Sequence, residues 1–180
     1  MTADLCALLA LCPPPDAPVR PQGDAEAAAR YTVPDGHRRL VDAYGVGCFD
    51  EFLWIYGAGA GNPHLDIGAA TDTVRSLLRG KDIPALRDVL RPYGLVPEAL
   101  VQWGGTDNGD ALLWLPAGPP DAWPTLIMEA GQLDLAVVER ASTGVVLDLL
   151  TGASHVRIFP DDFPSARPQF SPDPYLFGIP

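Results

Sequence analysis

The sequence is short of positive charge. Its 180 residues include twelve lysines and arginines, with Lys81 the only lysine, against 23 aspartates and glutamates. The formal net charge of −11 disfavours binding to nucleic acid or to an anionic lipid surface, and it favours basic partners. A second interpretation stays open, in which the acidity only keeps the chain in solution. We therefore expect no direct nucleic-acid ligand and no membrane contact.

Cysteine is also scarce, with only Cys6, Cys12 and Cys48. An odd number without a Cys-x-x-Cys pair argues against a disulfide framework and against a zinc site, so reduced thiols in a cytosol are expected. No apolar run approaches the roughly 20 residues that span a bilayer. The short run Leu5–Cys12 lacks the basic region and the cleavage site of a signal peptide. These features predict a cytoplasmic protein.

Tryptophan, by contrast, is concentrated, because three of the four tryptophans lie in one stretch of the chain. Two apolar runs, Ala99–Trp103 and Ala111–Leu115, flank a loop with Asp-Asn-Gly-Asp at 107–110, and Asn-Gly favours a tight hairpin turn. Trp103 and Trp114 lie on opposite arms of this hairpin, and such large rings usually mark the centre of a core. The stretch predicts a hairpin at the heart of a central sheet, with both rings in the core rather than against a partner.

The remaining elements are predicted from apolar spacing and from the glycines and prolines at their ends. Helices are expected at Ala3–Leu11, Asp24–Tyr31, Asp35–Tyr44, Thr71–Arg79 with Thr71 or Thr73 as its cap, Pro84–Leu90, and from Ser142 onward. Further strands are expected at Cys48–Tyr56, Ala122–Met128, Leu133–Val138 and, at an edge, His155–Phe159. Strands clustered behind a hairpin favour an α+β fold with a largely antiparallel sheet backed by helices.

No arrangement of residues in the sequence carries an enzyme signature. His37, His64 and His155 form no pair at metal-ligand spacing. The loop 57–61, Gly-Ala-Gly-Ala-Gly, lacks the Gly-Lys-Ser/Thr of a phosphate loop, and Pro63 delays the helix whose amides would face a phosphate. Paired carboxylates are available, but acid–base catalysis needs them in a cleft, which a sequence does not reveal. This pattern favours a binding protein over an enzyme.

Two blocks resemble the SUKH superfamily, which joins the fungal cell-wall-synthesis regulators to many bacterial immunity proteins. The first block is residues 33–57, with a proline-containing helix, Tyr-Gly and a phenylalanine-rich strand. The second, more specific block is residues 94–124, with Trp-Gly-x-Thr-Asp-Asn-Gly-Asp, Leu-x-Trp and Asp-x-Trp-Pro. A third likeness is Leu-Leu-Thr-Gly at 149–152, followed by Phe-Pro at 159–160 and 163–164.

The resemblance implies one SUKH-like α+β domain over residues 30–165, without catalysis and without a required cofactor. Residues 1–29 are then an N-terminal helix and proline-containing linker, and residues 166–180 a proline-rich tail that wraps the surface or stays free. Bacterial members of the family are typically antitoxin partners of polymorphic toxins, often nucleases, whose basic surfaces suit an acidic protein. The expected function is therefore a non-enzymatic immunity protein that binds and neutralises a protein toxin.

Two alternatives to the immunity function stay open. One is a regulatory interaction module of the same fold without a toxin partner, and the other is an enzyme with an unrecognised site. No feature of the sequence specifies an oligomeric state. If a toxin is bound, exposed acidic side chains near the hairpin ends and beside the first strand are the expected contacts. These candidate partner-binding residues are Asp50, Glu51, Asp107, Asp110 and Asp121.

Overall fold

A computed structural model describes residues 2–22 and 30–174, which form an α+β fold around one antiparallel sheet. The seven strands lie in the order β6-β5-β4-β3-β2-β1-β7, and each neighbouring pair is antiparallel. This confirms the predicted fold class. The strands are β1 (Gly47–Phe49), β2 (Leu53–Ile55), β3 (Val101–Thr106), β4 (Ala111–Trp114), β5 (Thr125–Met128), β6 (Leu135–Val138) and β7 (Phe170–Pro172).

Helices cover both faces of the sheet. Those in the described residues are α1 (Ala3–Leu11), α2 (Asp35–Tyr44), α3 (Ile67–Leu78), α4 (Pro84–Leu90) and α5 (Ser142–Leu150). The apolar side chains of α1, α2 and α5 pack in one buried cluster, and those of α4 and the second half of α3 pack in another. Most of the helical turn predicted at Asp24–Tyr31 lies outside the described residues.

The side chains of β4 alternate between these two clusters. Leu112 and Trp114 belong to the cluster of α1, α2 and α5, whereas Ala111 and Leu113 belong to the cluster of α3 and α4. Successive side chains of a strand point to opposite faces, so both faces of this strand are buried. This explains why β4 is apolar throughout instead of alternating between apolar and polar residues.

Two tryptophans and a histidine form the centre of the larger cluster. Trp103 lies at a β-bulge, where the pairing of β3 with β4 shifts between Gln102 and Gly104. The Trp103 and Trp114 rings are fully buried and stacked, with centroids 6.3 Å apart. His37 from α2 meets both rings edge-on, with centroid distances of 5.6 and 5.0 Å. The prediction that both tryptophans pack in the core is confirmed.

The single strand predicted at Cys48–Tyr56 is wrong, because the segment forms two strands, β1 and β2. Asp50 and Glu51 make the turn between them, with φ angles of 51° and 55°. The Phe52 amide donates to the Phe49 carbonyl oxygen at 3.0 Å and closes a turn with Asp50 and Glu51 at its centre. Positive φ at both central positions matches the twist of the strands that the turn joins. The turn escaped detection because neither position is glycine or asparagine, the residues that usually mark it.

Helix α3 begins at Ile67, four residues before the predicted start at Thr71. Its cap is Asp66, whose Oδ1 accepts a hydrogen bond from the Ala69 amide at 2.8 Å. Thr71 instead lies buried within the helix, where its Oγ1 accepts a hydrogen bond from the Gln102 amide at 3.0 Å. The predicted threonine caps are therefore wrong, and Thr71 ties α3 to β3.

The edge strand predicted at His155–Phe159 is absent, and the strand beside β1 is β7, from the region predicted to be a proline-rich tail. The Phe170 ring packs against Tyr44 and Phe49, with centroid distances of 5.1 and 4.8 Å. These contacts join segments more than 100 residues apart in the chain. No local pattern in the proline-rich sequence signals such a pairing.

His37 is buried and hydrogen-bonded at both ring nitrogens. Its Nε2 donates to the Tyr56 carbonyl oxygen at 2.8 Å, which leaves Nδ1 to accept from the Ser142 hydroxyl at 3.1 Å. Burial lowers the pKa of His37 from 6.5 to about 4, although the bond to Tyr56 acts in the opposite direction. The ring is therefore neutral at physiological pH and ties together α2, the residue that follows β2, and α5.

We predict that His37 makes the fold sensitive to mild acid. Below pH 6.5 the unfolded chain binds a proton at this histidine, whereas the folded chain does so only near pH 4, so the free energy of unfolding falls across this window. The expected loss is on the order of 2–3 kcal/mol by pH 4.5. Urea unfolding at pH 7 and pH 4.5 measures it. The His37→Gln variant is the control, because it retains every other titrating group; an equal pH dependence in both proteins would contradict the prediction.

Candidate functional site

Three hairpin turns lie at the same end of the sheet. Strands β1 to β6 are neighbours in chain order and all antiparallel, so the β1–β2, β3–β4 and β5–β6 turns share one end, and the β2–β3 and β4–β5 connections share the other. We call residues 50–51, 107–110 and 129–134 the hairpin ridge. Four of the five candidate residues from the sequence analysis lie on it, and Asp121 does not.

Hydrogen bonds fix the three turns of the ridge to one another. The Asp107 amide donates to the Phe52 carbonyl oxygen at 2.9 Å, which joins the first two turns. The Ala130 amide donates to Oδ1 of Asp110 at 3.1 Å, which joins the second turn to the third. The backbones of the three turns are therefore held in defined relative positions.

Asp110 is a buried structural residue, with only 3% of its surface exposed. Its Oδ2 accepts a hydrogen bond from the Thr106 hydroxyl at 2.7 Å, and its Oδ1 holds the Ala130 amide. A side chain that binds a partner must be exposed, and the side chain of Asp110 is buried. Because of its position in the loop, Asp110 instead joins the β3–β4 turn to the β5–β6 turn.

Asp50 uses its carboxylate within the chain. Its two oxygens accept hydrogen bonds from the Ser165 and Gln169 amides, each at 2.9 Å. Its own amide donates to the Gln169 carbonyl oxygen at 2.9 Å. Asp50 thus secures the segment that leads into β7, and its half-buried carboxylate is less free to meet a partner than its neighbour Glu51.

Glu51 and Asp107 are the exposed acidic candidates on the ridge. Together with Asp50, they lie close enough to Cys48 in β1 for their negative charges to disfavour its thiolate form. The pKa of the Cys48 thiol is raised to about 12, first by burial and then by the charges of Asp107, Glu51 and Asp50 in that order. The three carboxylates therefore act on one region of the protein and form a local negative potential.

Asp121 lies at the opposite end of the sheet, in the connection between β4 and β5. Its Oδ1 accepts a hydrogen bond from the Gly36 amide at 2.8 Å. Gly36 is in the first turn of α2, where a carboxylate satisfies an amide that has no partner within the helix and complements the helix dipole. The structure therefore separates Asp121 from the other four candidates and explains it as a helix cap.

Two further carboxylates of the ridge, Glu129 and Asp134, are not among the partner-binding candidates from the sequence, where Glu129 is considered only as one of several paired carboxylates for acid–base chemistry. Glu129 Oε2 accepts a hydrogen bond from the Leu133 amide at 3.2 Å. Asp134 pairs with Arg157, with 2.9 Å between Oδ2 and Nη2. Their positions on either side of the predicted turn at Gly131 could have indicated that both carboxylates lie at the tip of a hairpin.

The glycine loop 57–61 holds a carboxylate of the chain itself where a phosphate loop would hold its ligand. Asp66 Oδ2 accepts a hydrogen bond from the Gly59 amide at 2.7 Å, and Oδ1 accepts from Ala69 in the first turn of α3. These amides are the groups that would otherwise face an anion. The loop is therefore explained as part of the α3 cap.

The described residues contain no cluster of three or more histidine, cysteine, aspartate or glutamate side chains able to hold a metal ion. In the same part of the chain, no helix has the length and apolar character to cross a membrane. Compared with known proteins, the chain matches no family model, no curated protein and no solved structure. The ridge must therefore be interpreted from its own geometry.

We predict that Asp110 and Asp107 differ sharply in their effect on stability. Asp110→Ala leaves the Thr106 hydroxyl and the Ala130 amide without their acceptor, which lowers the free energy of unfolding by about 1–3 kcal/mol. Asp107→Ala keeps the backbone bond to Phe52 and changes stability by less than about 0.5 kcal/mol. Urea unfolding of both variants tests this difference, and equal losses would contradict the assigned roles.

We also predict that Cys6 is the only thiol that reacts rapidly in the folded protein. Cys6 is exposed, whereas Cys12 and Cys48 are buried, and burial, with a smaller effect of nearby carboxylates, raises their pKa values to about 11 and about 12. A thiol reagent at pH 8 should modify one cysteine in the native state and three after denaturation, because the thiolate is the reactive form. The Cys6→Ser variant should lose the fast phase; a remaining fast thiol would contradict the prediction.

Proposed function

We propose that this chain is a non-enzymatic immunity-type protein that binds and neutralises a protein toxin with a basic surface. The resemblance of residues 33–57 and 94–124 to SUKH immunity proteins supports this proposal. The observation that carries it is the pair of exposed carboxylates of Glu51 and Asp107, on two adjacent turns whose backbones are hydrogen-bonded.

Electrostatics favours a basic partner for this surface. The chain carries a net charge of −11, and a nuclease is basic where it holds phosphates, so the two long-range fields attract. Such complementarity chiefly raises the association rate and selects among partners. An immunity protein needs this property, because it must capture a toxin before the toxin reaches its substrate.

The ridge also suits binding because it needs little rearrangement. The Asp107–Phe52 and Ala130–Asp110 hydrogen bonds hold the turns in place, and Asp50 holds the first turn against the segment before β7. Ordering of loops on association reduces affinity, so turns already held by the fold retain more of the interaction free energy. The proposed complex forms in the cytoplasm, where a delivered nuclease meets its nucleic acid.

The test is co-expression of this protein with the product of the adjacent gene, with growth and affinity both measured. The wild-type chain should restore growth and form a complex that weakens as salt is added. The double variant that carries Glu51→Lys and Asp107→Lys should have a dissociation constant for the adjacent gene product about 10- to 100-fold higher than that of the wild type. The matched control is Asp16→Lys with Glu98→Lys, which changes the net charge equally at two exposed positions outside the ridge.

Equal weakening by the two double variants would show that net charge, and not the ridge, governs binding. If the adjacent product is not toxic and forms no complex, the immunity function is overturned for that pair. In that case, the regulatory module without a toxin becomes the better explanation. Circular dichroism of each variant separates a loss of binding from a loss of fold.

A further inference from the structure

A leucine is displayed at the tip of the β5–β6 turn. Leu133 is 88% exposed, the highest value among the exposed large apolar side chains of the described residues. The turn around it is well fixed: Gln132 has a φ of 59° and donates from Nε2 to the Ala130 carbonyl oxygen at 2.9 Å, and the Leu133 amide bonds to Glu129. The chain thus holds a fully formed turn that presents an apolar side chain to the outside.

An apolar groove lies close to this leucine. It runs between the end of α3, helix α4 and the segment 95–97, and its volume is about 250 Å³. Roughly 150 Å³ suffices for an apolar cavity to hold benzene, so a leucine side chain fits. Val96 at the groove is 58% exposed, second only to Leu133 among the exposed large apolar side chains. The apolar lining is formed by Leu78, Ile83, Leu86, Leu90, Leu95 and Val96.

The leucine and the groove belong to one surface. Lys81 lines the groove, and its Nζ donates to Oε1 of Gln132, the neighbour of Leu133, at 2.7 Å. The patch therefore contains a projecting apolar side chain and an apolar recess side by side. We call residues 78–97 and 129–134 the knob-and-groove patch.

The charges around the two features are opposite. Glu129 and Asp134 flank the exposed leucine, and Asp134 is paired with Arg157. Lys81 and Arg87 lie at the groove, and Arg87 is paired with Asp82. The sequence 75–91 alone carries five of the twelve basic residues of this acidic chain. Outside these two ion pairs, Glu129 beside the knob and Lys81 at the recess carry opposite charges, which are complementary across two copies of the chain.

We propose that two copies of this chain form a two-fold dimer in which Leu133 of each copy occupies the α3–α4 groove of the other. A two-fold interface uses the same patch on both subunits, so a knob and its recess must lie together on one surface, as they do here. The arrangement covers the two most exposed large apolar side chains of residues 2–22 and 30–174 at once, and it brings Glu129 of one copy towards Lys81 of the other.

Sedimentation velocity over a range of concentrations up to about 1 mM tests the proposal without any partner. The wild-type mass should rise from one chain to two. Leu133→Asp and Val96→Asp each place a charge in the contact at exposed positions and should raise the dissociation constant about 10-fold or more. Leu11→Asp, an exposed leucine at the end of α1, is the control and should dimerise as the wild type does.

Disulfide capture identifies the contact itself. In a Cys6→Ser background, Leu133→Cys and Val96→Cys are made as separate proteins and then mixed under mild oxidation. A linked dimer should form in the mixture and not in either protein alone, because the knob of one copy meets the groove of the other. A single-chain mass at every concentration overturns the proposal, as does a dimer unaffected by both aspartate variants or an absence of linked product.

Discussion

The stack of Trp103, Trp114 and His37 is the interaction on which the rest of the fold depends. The β-bulge at Trp103 sets that ring against Trp114 across the hairpin, and His37 closes the cluster from α2. Because the histidine also bonds to the Tyr56 carbonyl and the Ser142 hydroxyl, one buried ring links a strand end and two helices to the central hairpin. Packing of the three rings buries apolar surface, and the two hydrogen bonds fix the orientation of the His37 ring.

The hairpin ridge follows from the order of the strands. Six strands that are neighbours in both chain and space must place alternate turns at one end, and there the short turns carry acidic residues. The carboxylates of Asp110 and Asp50 accept hydrogen bonds from backbone amides of adjacent segments, whereas the side chains of Glu51 and Asp107 are exposed. The carboxylates of these turns thus divide into those that are hydrogen-bonded within the chain and those that are exposed.

Two surfaces with different character result from this division. The β1–β2 and β3–β4 turns are acidic and polar, which suits a steered encounter with a basic protein. The patch of Leu133 and the α3–α4 groove is apolar at its centre and carries both signs of charge at its rim, which suits a self-complementary contact. The two surfaces adjoin at the β5–β6 turn, because residues 129–134 belong to both the hairpin ridge and the knob-and-groove patch and Ala130 is hydrogen-bonded to Asp110.

Local pattern was sufficient for many elements. The helices at Ala3–Leu11, Asp35–Tyr44 and Pro84–Leu90 occur with the predicted bounds, because apolar spacing and end residues act within one or two turns of chain. The turn at 107–110 was predictable from its Asn-Gly pair, and the burial of Trp103 and Trp114 was predictable from their large apolar rings on the two arms of the hairpin. The turn at Asp50 and Glu51 was not predictable in this way, because it depends on strand pairing rather than on turn residues.

By itself, then, the sequence determined the class of fold, the central hairpin, most helices and the sign of the surface charge, since each arises from composition or from neighbours in the chain. Only the tertiary structure decided which carboxylates remain exposed, that Asp121 caps a distant helix and that β7 completes the sheet. It alone also decided that Leu133 lies beside a groove. These features depend on contacts between residues far apart in the chain, such as Asp110 with Ala130 and Asp121 with Gly36, which no local pattern encodes.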